Sequence, residues 1–151
     1  MIVAARDVFE DSIKGIHGAI EGASPDTLNA RPAGPNTNSI AVLAVHSMHS
    51  TRWWLSVAAG APIPERDRPS EFLVVASGGD ELRTTVDEMA QDCRRLLDPQ
   101  AALDLGALRE SGTRNGEPVS VAWAMLHAIE HLREHVSHML LTRQVLDANG
   151  R

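Results

Sequence analysis

Cysteine and lysine each occur once in the 151 residues, and no apolar run reaches the ~18–20 residues that a membrane-spanning helix needs. The lone Cys93 excludes an intramolecular disulfide and suits a reducing compartment. The opening residues meet the charge pair Arg6 and Asp7 too early for a secretory signal. Together these predict a cytoplasmic protein that does not span a membrane. Acidic residues outnumber basic ones 20 to 14, a net charge of −6, which argues against a nucleic-acid groove and against a polybasic membrane patch. Convincing strands are missing too. Phe72 to Ala76 has strand propensity but no partner strand, so it is expected to be a loop or turn laid across the rest. The length predicts one domain over residues 1–151, with a core large enough to be stable alone.

Four amphipathic stretches are present. Over residues 2–22, Ile2, Phe9, Ile13, Ile16 and Ile20 form one stripe at helical spacing, weakened by Gly15, Gly18 and Gly22. His17 stands alone there and reads as a surface or packed side chain. Residues 39–59 form a second helix that Asn38 or Ser39 would cap. The third covers 80–98, with Asp80 suited to its N-cap and Leu82, Val86, Met89, Cys93, Leu96 and Leu97 on the core stripe. On that stripe Cys93 reads as a small buried hydrophobe rather than a nucleophile. The last helix covers 121–141, led in by Pro118. Glycine- and proline-rich connections at 23–38, 60–79 and 99–117 separate them. The pattern predicts an all-α fold, a four-helix bundle with long loops between helices.

Four of the seven histidines fall on the last helix, at 127, 131, 135 and 138. Steps of 4, 4 and 3 place them on one side, with His131 and His135 nearest the apolar arc and His127 and His138 rotated outward. Two histidines at i, i+4 can converge on one metal ion, and the alternative is a helix flank of locally hydrogen-bonded rings. On the second helix His46 is surrounded by Val42, Leu43, Trp53 and Val57. A buried imidazole must satisfy both ring nitrogens, by two hydrogen bonds or by one hydrogen bond and a metal. His49 lies at the rim of the same face. Val45, Met48 and Leu55 make the opposite side of that helix apolar as well, fit for another helix or for a second subunit.

These residues carry a resemblance. Asn38-Ser39-Ile40, His46 and Arg52-Trp53-Trp54-Leu55, with Arg31-Pro32 before them, resemble the second-helix signature of the DinB/YfiT-like superfamily. Leu126-His127-Ala128-Ile129-Glu130-His131, followed by His135, resembles its last-helix signature. The resemblance implies a four-helix bundle, commonly a homodimer, with a metal site formed by His46, His131 and His135. It also implies relatives that use mycothiol or bacillithiol as a thiol cosubstrate, transferases and an isomerase among them. Two departures bear on substrate rather than on metal: Ser137 stands where many relatives have glycine, and His49 and Thr51 where many have an acidic residue.

Three neutral imidazoles around one divalent ion, zinc first and nickel next, would leave an open coordination position, as catalytic sites do. The expected reaction is transfer of a low-molecular-weight thiol to a small electrophilic substrate. His49, Glu130 and Glu134 are candidate proton carriers, Arg52 a candidate anion holder, and His127 and His138 candidate alternative ligands; each also fits a solvated surface. Other classes fit the same residues. One is a metal-dependent hydrolase; another is a non-catalytic metal-binding stress protein with a filled coordination shell. A third is a metal-free interaction bundle that dimerises through Val45, Met48 and Leu55.

Overall fold

A computed structural model describes residues 1–112 and 116–150. Six helices are found among them: α1 (Ile2–Ile20), α2 (Pro25–Asn29), α3 (Ile40–Ala59), α4 (Arg68–Glu71), α5 (Gly79–Leu96) and α6 (Val121–Ala148). The four long ones are the four expected from periodicity, and the all-α bundle holds. Two corrections concern the connections. The first two long loops each contain a short helix, α2 and α4. The third contributes a two-stranded antiparallel pair, β1 (Leu108–Arg109) with β2 (Val119–Ser120), against the expectation of no strand. This pair is too short to show a period of two, so only the fold around it reveals it. Phe72 to Ala76 is not a strand. It lies along the bundle, tied to α2 by paired hydrogen bonds between Ala76 and the Asn29 side chain.

Boundaries follow local chemistry. Ser39, rather than Asn38, caps α3, its hydroxyl accepting from the Val42 amide, and Gly60 closes the helix at φ +64°. Asp80 is not the cap of α5, because the helix starts a residue earlier, after Gly78. Asp80 and Glu81 instead set their charges against the helix dipole in the first turn. α1 stops at Ile20, two residues early, and Arg143 of α6 donates to the carbonyls of Ala19 and Glu21 at that end. Ser120 caps α6 through the Trp123 amide, and the helix continues beyond residue 141 to Ala148.

α3 is the axle of the bundle. It packs chiefly against α6 and then α5, while α1 closes the other side of α6. Almost every α3 residue from Ile40 to Ala58 is buried, the pattern of a helix surrounded on all sides. Val45, Met48 and Leu55 are therefore covered by this chain itself, and a dimer through that face is ruled out. With α3 enclosed in this way, the direction in which its one buried histidine points is fixed by packing on every side.

α1 and α6 approach closely at Gly15. A Cβ built on Gly15 would sit 2.6 Å from Cγ1 of Val136, whereas one built on Gly18 meets nothing within 4 Å. Val136 is β-branched and stiff, so it cannot swing away cheaply. Gly18→Ala should therefore stabilise the protein by about 0.5–1 kcal/mol through helix propensity and a less flexible unfolded chain. Gly15→Ala should destabilise it by about 1–3 kcal/mol, because the overpacking outweighs the same propensity gain. Urea denaturation of the two variants checks the opposite signs; a stabilised Gly15→Ala would show that α1 can retreat freely.

Candidate metal centre

His46 is 5% exposed at the middle of α3. Its Nδ1 lies 2.7 Å from Oε2 of Glu71, the last residue of α4, which is itself buried. Arg66 grips the same carboxylate in a fork, Nε to Oε1 at 2.6 Å and Nη2 to Oε2 at 2.9 Å. Phe72, the next residue, sets its ring 4.6 Å from the His46 ring, and Arg68 lies over the Phe72 ring. The connection between α3 and α5 is thus folded back as a strap over His46. An ionised Glu71 accepts the Nδ1 proton, which leaves the His46 Nε2 lone pair for another partner.

His131 and His135 approach from α6. Their Nε2 atoms are 3.2 Å apart, and their rings meet edge to face with centroids 4.4 Å apart. The His46 ring lies 5.4 Å from the first and 5.2 Å from the second, and one ring nitrogen from each of the three lies within 4.8 Å of the others. Two metal–nitrogen bonds of about 2.0–2.1 Å at a tetrahedral angle span about 3.3 Å, so the α6 pair already has the separation of two ligands. The set could hold a divalent ion. In addition, Nδ1 of His131 and of His135 is buried without a hydrogen-bond partner among the described residues. Neither ring therefore has the brace that Glu71 provides for His46.

Charge reinforces this arrangement. Burial, followed by the neighbouring His135 and His46, pushes the His131 pKa from 6.5 down to about 3. Burial also lowers His135, and it lowers His46 in spite of the opposing pull of Glu71. All three rings are therefore neutral near pH 7, the form that donates a lone pair. Burial would raise the Glu71 carboxyl, but the hydrogen bonds from Arg66 and His46 outweigh it and hold the group below its usual range. The buried carboxylate is ionised and fully engaged.

The remaining sequence candidates are distributed around this centre. His127 stacks on Trp123, with Trp54 edge-on to both, and its ring lies 5.8 Å from His131. His138 is exposed, 5.9 Å from His135 by ring centroids. His49 is half-buried on α3, and Glu130 and Glu134 are exposed. Arg52 is engaged with Asp92, beside a cleft of about 350 Å³ away from the triad. His17 Nε2 lies 2.9 Å from Asp87 Oδ1. Cys93 is fully buried on α5, where burial pushes its thiol pKa up to about 12.

Sequence reasoning missed Glu71 and Arg66. A signal existed for the turn that carries them. Asp67 followed by Arg68-Pro69 is a helix start, with Asp67 capping through the Ser70 amide and proline in the first turn. The pairing of Glu71 with a histidine 25 positions away leaves no local trace.

Over residues 4–148 the chain matches the family model described as mycothiol-S-transferase. Among solved structures, it is similar to the conserved protein of locus from Enterococcus faecalis. The two share 14% identity over 98% of each chain, with a TM-score of 0.78, a likeness of fold alone. No curated protein matches it. No helix among the described residues is long and apolar enough to cross a membrane.

Two outcomes follow from the burial of these groups. Above about pH 6.5, His131 is neutral whether the chain is folded or unfolded, and its contribution to stability is fully present. Below that, the unfolded chain takes a proton that the folded site refuses until about pH 3. Stability of the metal-free protein should therefore fall across this window, by up to about 1.4 kcal/mol per pH unit for this group. Urea melts at pH 7, 6 and 5 should show a shallower slope in His131→Gln; equal slopes would refute the assignment. Cys93 should resist a thiol reagent at pH 8 in the native protein and react once urea unfolds it.

Proposed function

The chain belongs to the mycothiol S-transferase family, and on that premise we propose that it is a metal-dependent S-transferase joining a low-molecular-weight thiol, of the mycothiol or bacillithiol type, to a small electrophile. One observation carries the reading: three neutral imidazoles from two helices bring a ring nitrogen each within 4.8 Å of one another. His46, His131 and His135 would hold the ion. A divalent ion bound there, zinc first and nickel next, supplies the Lewis acidity that keeps a thiol deprotonated at neutral pH.

The chain's own groups do the rest. Because the three donors are neutral, none of them repels an approaching thiolate. α3 and α6 are packed rigidly against each other, so the donors keep their mutual positions without reorganisation. An open cleft of about 740 Å³ adjoins the strap, lined by Trp53, Pro64 and Arg66 among others but by none of the three histidines. In the transfer the thiolate sulfur bonds to the electrophilic carbon, the leaving group departs with its electron pair, and the thiol proton passes to solvent. Cys93 is not that sulfur, since it is buried on another helix and stays protonated. The thiol therefore comes from a soluble cosubstrate, and the reducing cytoplasm suits both it and the lone Cys93. A homodimer would use a surface other than the buried Val45, Met48 and Leu55.

Untagged protein should carry about one zinc or nickel per chain, lost in both His46→Ala and His131→Ala. Metal-loaded protein should then accelerate conjugation of a thiol across a panel of low-molecular-weight thiols and electrophiles, and the two variants should not. Metal-free protein with no thermal shift on adding Zn²⁺ or Ni²⁺ would remove the metal centre. A bound metal with no transfer across the panel would remove the enzyme.

A further inference from the structure

Glu71 touches one member of the triad, His46, and both of its oxygens are committed. Oε1 takes Arg66 Nε, while Oε2 takes Arg66 Nη2 and His46 Nδ1. The carboxylate is buried, and it reaches His46 from the strap rather than from either helix that carries the triad. The other two rings have no equivalent among the described residues, where Nδ1 of His131 and of His135 is without a partner. One of the three rings is thus oriented from the strap, whereas the other two touch each other and the His46 ring without such a tie.

We propose that Glu71, itself held by the Arg66 fork, is a positioning residue that locks His46 in the tautomer with the proton on Nδ1 and aims its Nε2 at His131 and His135. The geometry stands on the hydrogen bonds alone; its consequence for metal affinity rests on the S-transferase reading above. A ring free to carry its proton on Nε2 would have to shift that proton before it could donate, and a ring free to rotate would lose orientation. Removing such a carboxylate brace typically weakens metal binding by about 10–100-fold. The strap therefore sets the quality of a site to which it contributes no ligand.

The test uses long-range proton–nitrogen NMR of the metal-free protein, with His46 assigned by its loss in His46→Gln, alongside Zn²⁺ affinity measured against a chelator. Wild type should show His46 as the single Nδ1–H tautomer. Glu71→Gln should keep that tautomer, because the amide oxygen still accepts, and should bind Zn²⁺ with intermediate affinity. Glu71→Met, of similar volume, should release the ring to a mixture of tautomers and weaken Zn²⁺ by about 10–100-fold. A wild-type ring protonated on Nε2 would overturn the proposal, as would a Glu71→Met protein with unchanged tautomer and affinity; Glu71 would then be only a structural tie. If Glu71→Met fails to fold, wild type and Glu71→Gln still decide the tautomer. If wild type binds no Zn²⁺, the S-transferase reading falls while the tautomer readings still decide this one.

Discussion

A buried imidazole needs a partner for each of its two nitrogens, and His46 is placed where almost no water can supply one. Much of the architecture answers that demand. The connection from α3 to α5 could have run free over the surface. Instead it bends into a single helical turn and presents Glu71 to Nδ1, with Phe72 packed beside the ring. Glu71 in turn is a buried charge, tolerable only because Arg66 grips both oxygens. On the other side α6 brings two more neutral rings. The chain of requirements runs outward from one side chain to a helix pair, a strap and an arginine.

The parts of this that were legible in the sequence are those written at short range. Phe9, Ile13, Ile16 and Ile20 are all buried, as their spacing along α1 requires. The 4-residue step from His131 to His135 likewise places both rings on the α3-facing side of α6. His46 stood out because its neighbours at helical spacing are apolar. Illegible were the features that depend on distant segments meeting. Glu71 finds His46 only after the strap has folded back, and β1 and β2 are two residues each, below the length at which alternation can be seen. The apolar faces of α3 illustrate the limit well. Val45, Met48 and Leu55 are equally suited to a neighbouring helix and to a second subunit, and only the packing of α3 inside this chain decides.

Family membership and site geometry bear on different questions. Membership concerns the kind of transfer, and it accords with a chain whose single thiol is buried and held protonated. Geometry concerns which side chains can act together. It brings together His46, His131 and His135 and separates them from His138 at the exposed rim and from His127, which is stacked in an aromatic cluster with Trp54 and Trp123. The seven histidines thus do not form one undifferentiated cluster; their surroundings sort them.

The contact between Gly15 and Val136 has a further bearing on the site. Val136 follows His135 directly in the chain, so one residue of α6 rests on the back helix while its neighbour faces the centre. α6 is a stiff rod at this point, and the bare backbone of Gly15 lets it sit one methyl deeper than any other residue would. The depth of α1 behind α6 therefore acts as a shim under His135. A side chain at position 15 would press on α6 right beside His135, from the face turned away from the triad.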